Sequence, residues 1–146
     1  MKVILAVSPD YGIADGEGNL LYHDKNDMRL FRGLTYGHPV IAGYRTAKTL
    51  EGGLKDRECF VESNESIIGW QSLKSCRPQN AWLIGGAKTV SKRLDVITEF
   101  WLSIFKVKPL KEDGVYLCDR TLDVINNSTR ILLVSFDNFD LVRFIV

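Results

Sequence analysis

The chain has few cysteines, and the three that it has form no recognisable pattern. Cys59, Cys76 and Cys118 are odd in number, and no two of them have the spacing of metal ligands. Neither a disulfide framework nor a zinc site is therefore predicted, and no metal is expected. Reduced cysteines are typical of cytosolic proteins, so we expect a cytoplasmic location.

The sequence also lacks a charge excess and a long hydrophobic segment. Its 19 basic residues are balanced by 18 acidic ones, which leaves no broad cationic surface for nucleic acid or an anionic membrane. The apolar run at residues 3–7 ends at Ser8-Pro9-Asp10, too early for a secretion signal or a membrane span. We interpret this run as a buried first strand.

The length and composition describe one globular domain. The chain has 146 residues, of which 45% are hydrophobic and 25% are charged, so it can bury a core without disulfides or metal ions. It contains no internal repeat, linker or low-complexity segment, and we expect a single domain over residues 1–146. Because no additional apolar helix suggests a subunit interface, a monomer is the expected state.

Short runs rich in Val and Ile alternate with helical patterns through the first hundred residues. Strands are predicted at 3–7, 39–43, 59–61 and 81–84, and helices at 24–34, 46–50, 67–73 and 87–97. This alternation predicts an α/β fold with a central, mostly parallel sheet flanked by helices. The last third is β-rich at 100–107, 130–136 and 139–146, with no helical pattern between these runs. Asp137-Asn138 favours a tight turn, so the chain is predicted to end in an antiparallel hairpin.

Asp27 is the residue that points most directly to chemistry. At helical spacing it shares one face of the first predicted helix with Phe31 and Leu34, where a carboxylate is costly unless it has a partner. Burial raises the pKa of such a group and makes it a proton reservoir, which an enzyme that protonates a nitrogen heterocycle requires. The alternative is that Asp27 lies at the rim of this face, or helps Asp24 to stabilise the helix N-terminus.

Two glycine-containing loops accompany this helix. Residues 11–19 contain three glycines between the first strand and the first helix, which fits a mobile lid beside a cleft or simply a long turn. Gly85-Gly86 joins a strand to a helix, where paired glycines let the backbone approach a phosphate. The alternative for this pair is a tight turn with positive φ, and the spacing of the Rossmann dinucleotide fingerprint is absent.

Taken in order, these features resemble the dihydrofolate reductase family. The matching pieces are a first strand ending near Ala6, the glycine-containing loop, the acid on the first helix, residues 39–46, Leu54 and Arg57 before the next strand, and Ile84-Gly85-Gly86-Ala87. They occur in the correct order at near-correct spacing over most of the chain. The resemblance implies a dihydrofolate reductase-like fold and hydride transfer from a reduced nicotinamide to the pterin of dihydrofolate, with protonation of the neighbouring ring nitrogen.

The resemblance also implies roles on the substrate side. Asp27 matches the ionisable group of the pterin pocket, which binds the amino-pyrimidine edge and promotes protonation through water. Ser103 matches a strand hydroxyl that supports this carboxylate, although it is also consistent with an ordinary sheet serine. The other implied substrate-binding residues are Ala6, the apolar Phe31, Leu50 and Leu54, and Arg57, which matches the arginine that grips the glutamyl carboxylate. Without the resemblance, the apolar residues would be assigned to the core and Arg57 to the surface.

On the cofactor side, the resemblance implies a dinucleotide laid against glycines and helix N-termini. Arg45, Asn64 and Lys88 would recognise a 2′-phosphate, which favours NADPH. Glu62 lies near the implied adenosine position, where its charge would oppose that phosphate, so NADH is an open alternative. The implied cofactor-binding residues are Ala6, Ile13, Gly43, Arg45, Thr46, Thr49, Ser63, Asn64, Ile84, Gly85, Gly86, Ala87 and Lys88.

The chain departs from the family pattern at several positions. Tyr22 replaces the lid tryptophan, and we hypothesise that its hydroxyl orders a water near the substrate. Val90 replaces an aromatic residue that touches the nicotinamide ring, which changes the contact that positions this ring. The tail after residue 115 is short, as if a long hairpin loop had been removed, so we expect the lid to lose a contact and to become more mobile.

The leading hypothesis is an NADPH-dependent dihydrofolate reductase with Asp27, Tyr22 and Ser103 as catalytic residues. One alternative is a reductase of another pterin or pyrimidine, because the reductase domain of riboflavin biosynthesis is similar in fold; Asp27 and Arg57 favour folate. Another alternative is a homologue without catalysis that binds folate or a nucleotide, or packs against another protein through an exposed apolar patch.

Overall fold

One large sheet organises the fold. The structure is a computed structural model, and it describes residues 1–75, 78–110 and 114–146. The strands described are β1 (Lys2–Val7), β2 (Gly12–Ala14), β3 (Val40–Gly43), β4 (Cys59–Glu62), β5 (Gln71–Ser72), β6 (Trp82–Leu83), β7 (Glu99–Phe105), β8 (Val115–Tyr116), β9 (Thr129–Ser135) and β10 (Phe139–Ile145). The helices described are α1 (Lys25–Thr35), α2 (Tyr44–Thr49), α3 (Ala87–Lys92) and α4 (Asp119–Asn126), with a 3-10 turn at Leu73–Ser75.

The strand order of this sheet is β5-β4-β3-β6-β1-β7-β10-β9. The first six strands in this order, from β5 through β1 to β7, run parallel, whereas β10 is antiparallel to both β7 and β9. β2 and β8 pair separately as a short antiparallel ribbon. The predicted α/β fold, with a mostly parallel sheet and a C-terminal antiparallel hairpin, is therefore confirmed.

Alternation along the strands divides the core between the two faces of the sheet. On one face, Val3 and Leu5 of β1 belong to a buried cluster with Val90 of α3 and Ile125 of α4. On the other face, Ile4 belongs to a cluster that contains residues of α1 and α2. Because helices cover both faces, the central strands are apolar throughout their length.

The C-terminal hairpin turns at the predicted site. The Phe136 N–H donates to the Phe139 carbonyl at 2.8 Å, with Asp137 and Asn138 between them. The side-chain amide of Asn138 also donates to Asp24 at 2.9 Å, at the start of α1. The turn therefore anchors the N-terminus of the helix that carries the candidate catalytic acid.

The helix predicted at residues 67–73 is wrong. Ile67 and Trp70 form an isolated antiparallel bridge, and β5 and the 3-10 turn follow. Gly69 has a φ of +83°, and a Cβ on it would lie 2.2 Å from the carbonyl carbon of Gly52. The chain therefore turns tightly against a neighbouring loop, with Ile67 and Trp70 buried in the core and Ile68 exposed.

One further helix prediction needs correction, and one helix was not predicted. The helix predicted at 87–97 ends at Lys92, where the Arg93 N–H bonds back to the Val90 carbonyl. α4 lies in a stretch for which no helix was predicted. Three of its eight residues are β-branched and its N-terminus has no side-chain cap, so its sequence carries weak helix signals. Tertiary burial, including that of Ile125, stabilises this helix.

The described cysteines carry free thiols. Cys59 is buried, and burial raises the pKa of its thiol, whereas Cys118 is exposed. Cys76 lies outside the described residues. Within the described ranges, no helix is long and apolar enough to cross a membrane, and no group of His, Cys, Asp and Glu side chains could hold a metal ion.

The edge strand β9 carries exposed apolar side chains. Ile131, Leu132 and Leu133 retain 37%, 52% and 41% of their accessible surface. Edge strands more often carry charged residues that discourage pairing with other chains. This strand therefore offers the kind of exposed apolar surface that the protein-interaction alternative requires.

Candidate active site

The carboxyl ends of the parallel strands bring predicted site residues to one edge of the sheet. Ala6 of β1 lies beside Ser103 of β7, and Gly43 at the end of β3 lies beside Glu62 at the end of β4. The Gly43 N–H donates to the Gly85 carbonyl at 2.8 Å, which links β3 to the segment after β6. In open α/β sheets, ligands bind at this edge.

Asp27 is held near this edge by the first turn of α1. The cap of the helix is Asp24, whose carboxylate accepts hydrogen bonds from the backbone N–H groups of Asn26 and Asp27 at 2.9 and 3.0 Å. The Asp27 side chain is partly buried and accepts a hydrogen bond from the Ser103 hydroxyl. Capping is therefore the role of Asp24, and the carboxylate of Asp27 is directed toward the sheet.

The two carboxylates of this turn have opposite electrostatic surroundings. Burial raises the pKa of Asp27 above the ordinary value of 3.8; the hydrogen bond from Ser103 opposes this shift, and the charge of Asp24 adds to it. The hydrogen bond from Asn138 lowers the pKa of Asp24. One carboxylate therefore stays ionised as a cap, while the other retains a proton at higher pH.

Beside Asp27, the predicted substrate wall is continuous with the core. Phe31, Leu50 and Leu54 are partly buried and pack against the cluster that contains Ile4. The guanidinium of Arg57 lies 5.9 Å from the Phe31 ring centroid and donates to the Thr35 hydroxyl at 3.0 Å. Its Nε donates to a backbone carbonyl at 2.9 Å. These contacts fix the guanidinium and leave further N–H donors for an anionic group.

The Gly85-Gly86 turn lies where β1, β3 and α2 meet. Its peptide bond is cis, and Gly85 has a φ of +127°. A Cβ on Gly85 would lie 3.4 Å from the Thr46 hydroxyl and 3.7 Å from the Leu5 side chain. Gly43 and Gly86 are the caps of α2 and α3, and neither helix N-terminus has a side-chain cap. The N–H groups of these first turns are therefore suited to phosphate oxygens.

The other predicted cofactor residues lie around this turn with different exposures. The Thr49 hydroxyl donates to the Thr46 carbonyl at 2.7 Å. Lys88 is exposed on α3, Ala87 is partly buried, and Ile13 and Ile84 are buried. Val90 is fully buried in the core, so in this conformation it presents no surface to a nicotinamide ring.

The residues predicted to recognise a 2′-phosphate lie on separate parts of the fold: Arg45 on α2, Asn64 after β4 and Lys88 on α3. The Arg45 guanidinium donates to the Gly16 carbonyl of the lid at 3.0 Å, and Asn64 is exposed after β4. In the described part of the chain, no hydrogen bond or ion pair joins these three residues. Their role toward a 2′-phosphate stays a prediction.

A different set of charges surrounds the end of β4. A cavity of about 330 Å³, which we call the β4 cavity, is lined by Glu62, Ser63, Asn64, Leu73, Lys74 and Arg93. Arg93 pairs with Glu62 through two contacts: Nη2 lies 3.3 Å from Oε1, and Nε lies 3.4 Å from Oε2. Sequence reasoning missed Arg93 and Lys74. Arg93 is 31 residues from Glu62, and no spacing signal relates the two.

The lid, residues 11–22, has a partner in the described structure. β2 pairs with β8, and the Gly114 N–H donates to the Ala14 carbonyl at 3.0 Å. A Cβ on Gly114 would lie 2.4 Å from the backbone nitrogen of Gly16. β8 therefore supplies a partner for the lid, whereas the expected loss concerns the hairpin loop that the Asp137-Asn138 turn replaces, and it stays a prediction. Increased lid mobility also stays a prediction.

Tyr22, at the end of the lid, is fixed by both its ring and its hydroxyl. The ring stacks on Phe105 at a centroid distance of 3.9 Å, with 7° between the planes. The hydroxyl donates to the Val107 carbonyl at 2.7 Å. Its oxygen retains lone pairs that can accept a hydrogen bond from water.

Comparison with known families decides the assignment. The family model described as dihydrofolate reductase matches residues 1–116. The chain belongs to the dihydrofolate reductase family. The matched segment contains every predicted site residue, and it extends from the first strand through β8.

A solved dihydrofolate reductase has the same fold. The dihydrofolate reductase from Enterococcus faecalis, complexed with NADP(H) and RAB-propyl, matches with a TM-score of 0.73 at 16% sequence identity. The match covers 98% of this chain and 92% of that chain. No curated protein matches the sequence. Family membership and fold together support a reductase that acts on dihydrofolate.

Proposed function

We propose that this protein reduces 7,8-dihydrofolate to tetrahydrofolate with NADPH as the hydride donor, and that Asp27 promotes protonation of the substrate. The observation that carries this proposal is the partly buried carboxylate of Asp27, which accepts a hydrogen bond from Ser103 in a chain of this family. Such a group can bind the amino-pyrimidine edge of a pterin through paired hydrogen bonds.

The raised pKa of Asp27 supports its role in proton delivery. A buried carboxyl that holds its proton at higher pH is a better source of a proton for a ring nitrogen, either directly or through one water. When bound, the reduced nicotinamide supplies the hydride. The chain contributes by holding the two rings together and excluding water from them.

Arg57 is suited to the glutamyl end of bound dihydrofolate, and the glycine turns are suited to the pyrophosphate of the bound cofactor. The fixed guanidinium of Arg57 suits a bidentate contact with the glutamyl carboxylate of folate. The uncapped N-termini of α2 and α3 after Gly43 and Gly86 suit the pyrophosphate of a dinucleotide. These contacts favour dihydrofolate over a ribosylated pyrimidine, which has no glutamyl carboxylate.

The direct test is absorbance at the reduced-nicotinamide band with purified protein, dihydrofolate, and NADPH or NADH in parallel. We expect oxidation of the cofactor that depends on dihydrofolate. If both cofactors remain unoxidised while dihydrofolate binds, the reductase proposal is wrong and a binding role replaces it.

Replacing Tyr22 with Phe tests the hydroxyl that we propose orders a water near the substrate. Because a typical net hydrogen bond contributes about 0.5–1.5 kcal/mol, we expect kcat to fall by roughly three- to tenfold. The stacked ring remains, so the structure should be preserved. The control is Tyr36→Phe, an exposed tyrosine at the end of α1. Equal turnover in Tyr22→Phe and the parent protein would remove Tyr22 from the catalytic set.

Replacing Ser103 with Ala tests the support of Asp27. The Ser103 hydrogen bond lowers the pKa of Asp27, so its loss raises that pKa further. We expect the pH at which kcat is half-maximal to move to higher pH in Ser103→Ala. Ser91→Ala is the control, because its hydroxyl donates to the Lys88 carbonyl instead. An unchanged pH profile would show that Ser103 has only a structural role.

The interaction alternative rests on β9. Its exposed apolar residues would suit a protein contact. This strand lies at the sheet edge, separated from β1 by β10 and β7. A contact there is compatible with the reductase site and does not replace it.

A further inference from the structure

The β4 cavity holds an ion pair whose position bears on cofactor choice. Glu62 is the last residue of β4 and lies beside Gly43, which precedes α2. Under the proposed function, this place receives the adenosine end of the cofactor. A 2′-phosphate on the ribose would enter a cavity that contains a carboxylate, and like charges at close range repel.

The contacts of Arg93 change this charge balance. Its guanidinium faces the Glu62 carboxylate through two nitrogen–oxygen contacts, and both side chains are 29% exposed. Arg93 follows the last residue of α3, so the helix presents it to the end of β4. A two-contact arginine–carboxylate pair of this kind is held in place better than a single-contact pair.

With Glu62 neutralised, the described residues that line the cavity carry a net positive charge. Lys74 also lines it, and in the described part of the chain Lys74 makes no ion pair. The polar Ser63 and Asn64 and the apolar Leu73 complete the lining. The cavity therefore offers one free ammonium to an anion only as long as Arg93 occupies the carboxylate.

We propose that the Glu62–Arg93 ion pair is the positioning element that lets this site accept a 2′-phosphate, and that it sets the ratio of NADPH to NADH use. The proposal rests on the proposed function for the location of the adenosine. Arg93 acts through Glu62: it cancels the charge that would repel the phosphate. Without Arg93, the bare carboxylate of Glu62 favours a ribose with a free 2′-hydroxyl, which can donate a hydrogen bond to it.

The experiment measures binding of two small probes by calorimetry. 2′,5′-ADP carries the 2′-phosphate, and 5′-AMP lacks it, so their affinity ratio isolates recognition of this group. We expect Arg93→Gln to weaken the affinity for 2′,5′-ADP by about tenfold and to change the affinity for 5′-AMP by less than about twofold. Glu62→Gln should strengthen the affinity for 2′,5′-ADP by roughly severalfold, because it removes the negative charge that repels the phosphate.

The double variant Glu62→Gln/Arg93→Gln distinguishes this mechanism from a structural role. It removes both charges, so 2′,5′-ADP binding should return close to that of the parent protein. Lys92→Gln is the charge control, because it removes an exposed cation next to Arg93 without touching the pair. If the double variant binds 2′,5′-ADP as weakly as Arg93→Gln, or if both probes weaken equally, the proposal is wrong.

The same variants in the reductase assay keep this proposal separate from the proposed function. In Arg93→Gln, we expect the kcat/KM for NADPH to fall relative to the kcat/KM for NADH. This fall should come from a higher KM for NADPH, with kcat unchanged. If no variant oxidises either cofactor but the probe affinities change as expected, the pair acts as proposed and the reductase assignment fails. If turnover is normal and the probe ratios do not change, the reductase stands and the pair has no part in specificity. Failure of both probes to bind the parent protein overturns the placement of the adenosine and the proposal with it.

Discussion

Replacing Asp27 with Asn is expected to lower kcat/KM for dihydrofolate by about 10²- to 10⁴-fold, the usual contribution of a positioned general acid or base. The amide can accept the hydrogen bond from Ser103, so the local structure should persist. It cannot hold or transfer the proton. Steady-state kinetics over a range of pH would measure the loss, and the remaining rate should rise in acid because the solvent must then supply the proton.

Asp24→Asn is the matched control for this substitution. It makes the same change from carboxylate to amide three residues earlier, and asparagine is also a good helix cap. We expect its kcat/KM to remain within about threefold of the parent value, since it leaves the Asp27 carboxylate and its Ser103 partner in place and loses only the Asn138 acceptor and a minor contribution to the raised pKa of Asp27. A loss below tenfold in Asp27→Asn, or an equal loss in both variants, would contradict the role of Asp27.

Thermal unfolding of Asp27→Asn gives an independent readout. Because the pKa of Asp27 is raised in the folded protein, the folded state binds more protons than the unfolded state between the ordinary aspartate pKa and the raised one. Stability from this group is present in acid and is lost as the pH rises through the folded pKa. At neutral pH, Asp27→Asn should therefore be more stable than the parent protein, and this difference should vanish below the ordinary pKa.

Replacing Gly43 with Ala is expected to damage both stability and cofactor binding. A Cβ on Gly43 would lie 2.3 Å from the Thr89 hydroxyl oxygen, and Thr89 is buried in α3. Gly43 has a φ of −69°, which alanine adopts easily, so the whole effect is steric. Overpacking of this kind costs about 1–3 kcal/mol, which corresponds to about 2–10 °C in Tm for a chain of this size.

The clash also bears on the cofactor site. α3 begins directly after Gly86, so a shift of Thr89 moves the turn that we propose holds the pyrophosphate. A displacement of about 1 Å can cost up to 10²-fold in rate, and we expect kcat/KM for NADPH to fall by about 10- to 100-fold. Differential scanning fluorimetry and initial-rate kinetics would measure the two effects.

A second substitution tests whether the clash is the cause. Thr89→Ala removes the oxygen and leaves its Cβ at 3.5 Å from the new methyl group, an ordinary contact. Gly43→Ala/Thr89→Ala should therefore regain most of the lost Tm and activity. Gly43→Ala/Thr89→Val keeps an atom at the position of the clash and should not recover. If neither or both of these double variants recover, a cause other than this contact is responsible.

The fold class could be predicted because it depends on local patterns that occur many times. Apolar runs such as residues 3–7 alternate with helical segments, and the Asp137-Asn138 turn has strong local chemistry. The failures occurred where tertiary packing overrides weak local preference. Residues 67–73 turn at Gly69 against a neighbouring loop, and α4 is stabilised by burial although its sequence has few helix signals.

The candidate site divides in the same way. The acid on the first helix and the Gly85-Gly86 pair could be found because each has a local sequence context. Neither the Glu62–Arg93 pair nor the contact between Gly43 and Thr89 has one, because each joins residues on different elements. Such pairs become visible only when α3 packs against the ends of β3 and β4.

The sequence by itself determined the family, the α/β architecture, and Asp27 as the candidate acid, because these follow from residue type, periodicity and order along the chain. Only the tertiary structure decided that Asp24 caps the helix while Asp27 meets Ser103, that the lid pairs with β8, and that Glu62 is neutralised by Arg93. Burial and pairing of charges depend on distances between segments that are far apart in the chain. Packing alone sets those distances.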